Sequence, residues 1–169
     1  LAHRMGLYNI KSELEDLSLR YTKPEDYFGV ERKLSETKEE REKYIKDFIR
    51  TLKDKLDEEG LEFEIKGRSK SINSIYRKMV KQGIPFEEVY DLFAIRIIYR
   101  SDRKNEKFLA WKIYSMVTDI YIPNPKRMRD WITHPKSTGY ESLHVTVMGP
   151  EARWIEVQIR SERMDEVAE

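Results

Sequence analysis

The sequence predicts an α+β fold, in which a mixed β-sheet is combined with helices. Segments whose apolar residues recur at helical spacing alternate along the chain with short segments of period-two or continuous apolar character. Gly and Pro residues separate many of these segments, and the sequence contains no internal repeat. The chain has 169 residues, which is enough for one well-buried core.

The N-terminal part of the chain is predicted to be helical. An amphipathic helix over 7–19 is followed by a predicted break over 21–27, because that stretch contains Pro24. The highly charged segment 35–59 has apolar residues at helical spacing, which predicts a long helix that ends at Gly60.

Strands and helices alternate in the middle of the chain. Residues 61–66 alternate strictly between apolar and charged, and residues 92–99 are almost continuously apolar, so both are predicted strands. Helices are predicted over 71–82 and 105–118. A long basic loop is predicted over 126–136, and loops of this length are usually functional.

The last part of the chain is predicted to form a pair of strands and a helix. Residues 143–148 and 154–159 read as paired strands joined by Gly149-Pro150. The tail from Glu162 has helical character.

The composition excludes several classes of protein. Lys and Arg total 32 and Asp and Glu total 31, so the net charge of +1 argues against a surface built as a whole to hold nucleic acid. The absence of Cys excludes disulfides and thiolate metal sites. No apolar run reaches the roughly 18 residues of a membrane span, and we expect a cytoplasmic protein. Because the sequence begins at Leu1 rather than Met and ends in helix-like composition, we expect a fragment of a longer chain.

A basic segment follows the first predicted strand. Lys70, Ser74 and Lys78 are four residues apart, so on a helix they lie one above another and are able to contact successive phosphates. Together with Gly67-Arg68 they suit a polyphosphate, although the glycine spacing of a Walker A loop is absent. A solvated basic helix face is the alternative interpretation.

Two carboxylates and one arginine occupy strand positions. Asp91 precedes the strand 92–99, and Glu156 lies on the polar side of the strand 154–159; such a pair is able to hold Mg²⁺ together with substrate phosphates. A turn or cap role for Asp91 and a solvent-facing position for Glu156 are the alternatives. Arg96 interrupts an apolar strand, which indicates either a functional role or a buried ion pair.

Residues 134–144 bring a cation, an aromatic ring and two imidazoles into one loop. Tyr140 is able to stack on a nucleobase, while Lys136 and His144 are able to contact phosphates. Ordinary packing is the alternative for Tyr140 and His144. No second His or Cys stands at ligand spacing from His144, which argues against a zinc site.

These blocks follow one another in a fixed order. They are Gly67-Arg68-x-Lys70, Ser74 to Met79, Tyr90 to Arg96, Pro135-Lys136, Gly139-Tyr140, Ser142 to His144 and Glu156 to Arg160. Their order and spacing resemble the synthetase domain of the RelA/SpoT homologue family. The resemblance covers the chain from Leu61 onward. Residues 1–17 also resemble the segment that joins the hydrolase and synthetase domains in the long enzymes of this family.

The resemblance implies a nucleotidyltransferase-like mixed sheet flanked by helices, with a helical linker over 1–59 and the synthetase domain over 60–169. It also implies a GTP pyrophosphokinase of the stringent response, which transfers pyrophosphate from ATP to the 3′-hydroxyl of GTP or GDP and uses Mg²⁺. The hydrolase region would lie outside this chain, so no hydrolase activity is expected from it. Regulation of the full-length protein by the ribosome or by other domains is expected.

The resemblance further implies roles for individual residues on the ATP side. Arg68 and Arg96 would sandwich the adenine. Lys70, Ser74 and Lys78 would hold the ATP phosphates.

At the reaction centre, the resemblance implies that Asp91 holds Mg²⁺. Glu156 would share the metal or draw the proton from the acceptor 3′-hydroxyl. Tyr140 would stack on guanine. The other residues that would contact the acceptor nucleotide are Lys136, His144, Gln158 and Arg129.

Some positions depart from the usual residues of the family. Arg129 stands where Lys is usual, and its basic character resembles the bifunctional, synthetase-plus-hydrolase type. Thr138 replaces Asn and Glu141 replaces Gln, and Glu141 adds a negative charge near the acceptor phosphates. A catalytically silent nucleotide-sensing module and an RNA-binding module are the alternatives. The two carboxylates argue against the first, and the near-zero net charge argues against the second.

Overall fold

The computed structural model describes residues 8–68, 70–89 and 92–168, which form an α+β fold. The helices are α1 (Tyr8–Thr22), α2 (Pro24–Glu58), α3 (Ile72–Gln82), α4 (Glu106–Ile120) and α5 (Glu162–Ala168). The strands are β1 (Phe63–Gly67), β2 (Phe93–Tyr99), β3 (Ile122–Pro123), β4 (Arg129–Asp130), β5 (Leu143–Gly149) and β6 (Arg153–Ser161).

The strands form a mixed sheet in the order β1-β2-β6-β5, with β3 and β4 both paired to the outer edge of β5. β2 and β6 run parallel, whereas β1 with β2 and β5 with β6 run antiparallel. β6 is therefore a central strand, although it is the last strand in the sequence. This arrangement confirms the predicted mixed sheet flanked by helices.

One face of the sheet is covered by α2 and α4. Phe48, Leu52 and Leu56 of α2 are fully buried in the same cluster as Ile113 and Val117 of α4 and the inward side chains of the strands. Removing this apolar surface from water stabilises the fold by about 25 cal/mol for each Å² buried. The second half of α2 is thus part of the core of the sheet.

A smaller apolar cluster joins α2 to α3. Its buried members are Val30, Ile75, Phe86 and Val89. α1 contacts the same region, because Asp16 Oδ1 accepts the backbone N–H of Asn73 at 2.8 Å. These contacts fix the first turn of α3 beside the end of β1.

The boundaries of α2 correct the sequence-based prediction. The helix begins at Pro24 rather than at residue 35, and the break before it is at Lys23 rather than over 21–27. Proline at the first position of a helix loses no hydrogen bond and presets φ, so Pro24 starts this helix.

The two short edge strands were not predicted. β3 and β4 have two residues each, which is too short for a periodic pattern. They form because the edge of β5 offers backbone partners to whatever segment passes beside it.

No helix within the described ranges combines the length and the apolar character needed to cross a membrane.

Candidate functional site

A row of polar side chains crosses the face of the sheet opposite α2 and α4. The strand register aligns one residue from each of five neighbouring strands in this row, namely Lys66, Arg96, Gln158, His144 and Arg129. Paired residues on adjacent strands point to the same face, and so do residues two apart on one strand. Glu156 and Arg160 of β6 therefore belong to this face as well.

Glu156 is held by cations from the segment that follows β1. Arg68 Nη1 lies 3.3 Å from its Oε1, and Lys70 Nζ lies 3.6 Å from its Oε2. Gln158 Nε2 donates to Oε1 at 3.0 Å. The side chain of Glu156 is 18% exposed, so these charges act on it with little screening by water.

The pKa of Glu156 reflects two opposing effects. Burial raises it, but the charges of Lys70, His144 and Arg68 and the hydrogen bond from Gln158 outweigh burial, so the pKa lies below its usual value. Glu156 is therefore ionised at neutral pH, as a proton acceptor or a metal ligand must be.

His144 is neutral at the same pH. Burial lowers its pKa to about 4, with Arg68 among the nearby cations that add to this effect, against the opposing charge of Glu156. Because His144 carries no charge at pH 7, its effect on Glu156 is confined to acidic pH, and at pH 7 the charges of Lys70 and Arg68 and the hydrogen bond from Gln158 keep Glu156 ionised.

Tyr140 contacts both His144 and a buried guanidinium. Its hydroxyl lies 2.9 Å from His144 Nε2, and Arg160 Nη1 donates to it at 3.4 Å. Since the guanidinium is a donor only, the hydroxyl accepts from Arg160, and it shares a second hydrogen bond with the imidazole. The orientation of the Tyr140 ring is thus fixed from two sides.

A tight turn brings Lys136 beside Tyr140. The N–H of Lys136 donates to the carbonyl of Tyr140 at 3.1 Å, and Gly139 adopts φ 84, a conformation that favours glycine. Lys136 Nζ lies 5.2 Å from the ring centre of Tyr140 and 4.8 Å from that of Trp131. The loop therefore presents a cation directly beside an aromatic face.

Arg96 is paired, as expected for an arginine in an apolar strand. Its Nε donates to Gln158 Oε1 at 3.4 Å, and its Nη1 lies 3.5 Å from Asp165 Oδ1. Gln158 is 3% exposed and bonds to both Arg96 and Glu156, so it connects these two predicted site residues.

A cavity of about 410 Å³ lies next to Glu156 on this face. Its other lining residues are Lys78, Lys126, Arg127, Arg129, His144 and Thr146. Cations dominate this lining, and cations with several donors bind phosphate oxygens by charge-assisted hydrogen bonds. The cavity therefore suits the phosphates of a nucleotide.

α3 carries two of the predicted phosphate ligands. Ser71 caps the helix, since its Oγ accepts the N–H of Ser74 at 3.2 Å, and the two hydroxyl oxygens are 2.7 Å apart. Lys78, one turn later, lines the cavity beside Glu156. Ser74 thus lies at the start of α3, and its hydroxyl is engaged with the cap.

α5 provides an ion-pair partner for Glu141. Arg163 Nη2 lies 2.7 Å from Glu141 Oε2, and the same guanidinium donates to both carboxylate oxygens of Glu106. The hydrogen bond from Arg163 is the largest cause of a lowered pKa at Glu106. One guanidinium is therefore shared by two carboxylates, so the charge of Glu141 is paired within the protein but only partly offset.

The structure brings most of the predicted residues to one face, and their individual roles stay predictions. Asp91 lies outside the described residues, so its predicted convergence with Glu156 also stays a prediction. No cluster of three or more His, Asp or Glu side chains able to hold a metal ion occurs in the described part of the chain.

Several residues of the site were not predicted from the sequence. They are Lys126, Arg127, Thr146, Arg160 and Asp165. Arg160 had a usable signal, because it alternates with Glu156 and Gln158 along one strand. Asp165 had none, because its contacts depend on how α5 turns back from the end of β6.

Comparison with known proteins places the chain in a family. Residues 67–169 match the family described as "Region found in RelA / SpoT proteins". A GTP pyrophosphokinase of Myxococcus xanthus is 43% identical over 169 residues, which is 100% of this chain and 22% of that protein. A protein of Synechocystis sp. named probable guanosine-3′,5′-bis(diphosphate) 3′-pyrophosphohydrolase is 42% identical over 170 residues, again 100% and 22% of the two chains.

A solved structure shows the same fold. The small alarmone synthetase 2 of Bacillus subtilis has a TM-score of 0.59 and 25% identity to this chain, over 73% of this chain and 71% of that one. The chain spans 22% of the length of each of the two curated relatives described above.

Proposed function

This chain belongs to the family of RelA and SpoT proteins, and we propose that it is the part of a longer enzyme that transfers pyrophosphate from ATP to the 3′-hydroxyl of GTP or GDP. The observation that carries the proposal is the environment of Glu156. This ionised carboxylate lies beside Arg68 and Lys70 and at the wall of a cavity lined by cations. The names of the relatives, a GTP pyrophosphokinase and an alarmone synthetase, support the same reaction.

We propose that ATP binds on the side of Glu156 formed by Arg68, Lys70 and α3. The pairs of Glu156 with Arg68 and Lys70 are longer than the roughly 2.8 Å typical of strong charge-assisted hydrogen bonds. Phosphates would therefore compete well for both cations. Arg68 and Arg96 would hold the adenine, and Ser74 and Lys78 would join Lys70 at the phosphates.

We place the acceptor nucleotide on the other side, at the loop that carries Tyr140. Lys136 beside the Tyr140 ring offers a cation next to a stacking surface for guanine. His144 and Gln158 lie in the same cross-strand row, and Arg129 lines the cavity that would take the acceptor phosphates.

The donor set fits a magnesium ion that is completed by substrate. Mg²⁺ is usually bound through one or two carboxylates plus substrate phosphates. Glu156 supplies one carboxylate, and Asp91 is proposed as the second. When bound, the ion would neutralise charge on the transferred phosphoryl groups.

The chain's own residues would then act on the acceptor hydroxyl. Glu156 is ionised and would accept the proton of the 3′-hydroxyl as its oxygen forms a bond to the β-phosphorus of ATP. The bond between that phosphorus and the α,β-bridging oxygen breaks, so AMP leaves and pyrophosphate is transferred. Arg68 and Lys70 would stabilise the charge that develops on the phosphates.

Incubation of the purified chain with ATP, GTP and MgCl₂ tests this proposal. We expect equal amounts of AMP and guanosine pentaphosphate, measured by anion-exchange chromatography. GTP that lacks its 3′-hydroxyl is the matched control and should give neither product. The variant Asp91→Asn should bind both nucleotides but form no product. Binding of both nucleotides without AMP release by the wild type would instead support a nucleotide-sensing module.

We also propose the setting of this activity. The long relatives suggest a helical linker over 1–59 and a synthetase domain over 60–169. Because the second half of α2 packs in the core of the sheet, we propose that the synthetase domain also includes that half of α2. Regulation by other domains or by the ribosome is proposed for the full-length protein. The cytoplasm is the proposed location, since the substrates are cytoplasmic nucleotides and the sequence contains no Cys.

A further inference from the structure

Asp165, on α5, lies between two arginines of the polar face. Its Oδ1 accepts Arg160 Nε at 2.8 Å and lies 2.6 Å from Arg160 Nη2. The same oxygen is 3.5 Å from Arg96 Nη1. The side chain of Arg160 is 2% exposed, and a guanidinium at that depth requires a carboxylate partner.

Two chains of contacts leave this carboxylate. One runs through Arg160 Nη1 to the hydroxyl of Tyr140 and from there to His144. The other runs through Arg96 Nε to Gln158 and from there to Glu156. The first chain ends at the proposed guanine side and the second at the reacting carboxylate, with Arg96 on the proposed adenine side.

We infer that Asp165 is a positioning residue that couples the two nucleotide subsites, an inference that rests on the proposed function. The carboxylate holds both guanidinium groups in one orientation, so that the Tyr140 ring and the Arg96 side chain are fixed relative to Glu156. Asp165 would touch neither nucleotide and would act through Arg160 and Arg96.

The neutral variant Asp165→Asn tests this inference, because it keeps the shape of the side chain and removes its charge. Glu162→Gln is the matched control on the same helix. Glu162 Oε1 lies 3.4 Å from Arg100 Nε, and both side chains are more than half exposed. The measurements are the KM values for ATP and GTP from AMP release, the affinities for a non-hydrolysable ATP analogue and for GDP by calorimetry, and the Tm.

We expect Asp165→Asn to weaken the binding of both nucleotides by about tenfold, within the range found for groups in one hydrogen-bonded network. Glu162→Gln should leave the binding of both nucleotides unchanged. A residue that only supports the fold would lower Tm and the active fraction but leave both KM values unchanged, and that result would overturn the inference.

A double-mutant cycle with Tyr140→Phe sharpens the test, since Phe keeps the ring but lacks the hydroxyl that Arg160 contacts. Asp165→Asn should weaken GDP binding less when it is combined with Tyr140→Phe than when it is introduced into the wild type. Additive effects would show that Asp165 does not act through this hydroxyl and would reject that arm of the inference.

Calorimetry separates failure of the inference from failure of the proposed function. A wild type that binds both nucleotides without turnover would reject the proposed reaction, while the affinities would still test Asp165. A wild type that binds neither nucleotide would overturn both.

Discussion

Two neighbouring rows of side chains in the sheet differ in polarity. One row, Ile65, Ile97, Ile159 and Leu143, points toward α2 and α4, and its last three members are fully buried. The next row, one residue away along each strand, is Lys66, Arg96, Gln158 and His144. The same strands therefore supply the core with one row and the candidate site with the next.

The difference shows how the fold and the site are kept apart. Side chains alternate between faces along a strand, so each face is able to change with little effect on the packing of the other. A rigid apolar face also gives the polar face fixed positions, which a site built from several strands requires. Substitutions on each face test how separate the two faces are.

The largest effect is expected at the polar face for Glu156→Gln. The amide is nearly the same size but is a poor proton acceptor, so AMP release should fall by about 10²- to 10⁴-fold. The Tm should change little, because the amide fills the same space and its oxygen is still able to accept the hydrogen bond from Gln158. A variant that keeps more than a tenth of the wild-type rate would contradict the role of Glu156.

The opposite result is expected at the apolar face for Ile97→Ala. Ile97 has no exposed surface, and removing its side chain leaves a cavity that should lower the free energy of unfolding by about 3 kcal/mol. Activity per folded molecule should stay near that of the wild type. Urea titration measures the free energy of unfolding, and AMP release at temperatures below the unfolding transition measures the activity per folded molecule. A large loss of specific activity would show that the two faces are coupled.

A smaller effect, dependent on pH, is expected at His144. Its pKa of about 4 lies below the 6.5 of an unfolded chain, so between these values the unfolded state binds more protons. Stability should therefore fall as the pH drops from about 6.5 toward 4 and be flat above this range. The lowered pKa of Glu156 adds a further loss of stability only below about pH 4.5, the ordinary pKa of this group.

The variant His144→Gln separates these two contributions. Its Tm should decline less than that of the wild type between pH 7 and pH 5, where Glu156 remains ionised. Equal declines in the two proteins would show that His144 is not the group responsible.

The smallest effect is expected for Lys66→Gln. Lys66 belongs to the same row as Arg96, but its side chain is 54% exposed and pairs with Glu64 at 3.6 Å. Exposed ion pairs contribute about 0 to 1 kcal/mol, so the Tm and both KM values should stay close to those of the wild type. A marked rise in either KM would extend the site to the outer edge of the sheet.

Much of the candidate site was predictable from local patterns. The alternation of Glu156 and Gln158 with apolar residues predicted which face of β6 is polar. The four-residue spacing correctly placed Ser74 and Lys78 on one helix, but Lys70 precedes α3, which begins at Ile72, so its predicted place on the helix face was wrong. The ion pair of Arg96 followed from the cost of leaving a charge unpaired in an apolar strand. Each of these predictions needs only the period of a single element.

Other features could not be predicted because they depend on contacts between distant segments. The start of α2 at Pro24 is not one of them, because proline in the first turn of a helix is a local signal that the sequence-based prediction did not use. The ion pair of Glu141 with Arg163 of α5 is one example, since Arg163 is far from Glu141 in the sequence. Whether a charge is compensated depends on a partner that the neighbouring sequence does not reveal.

By itself, the sequence determined the type and approximate extent of most helices and strands and the polar face of β6, because these follow from short-range periodicity. It also determined the resemblance to a family, because that follows from the order of motifs. Only the tertiary structure decided the strand order and the register that aligns Arg96, Gln158 and His144, and it alone placed Asp165 between two arginines. The physical reason is that strand pairing and helix docking are set by the burial of all elements together. A shift of one residue in register would exchange the two rows and bury the charges.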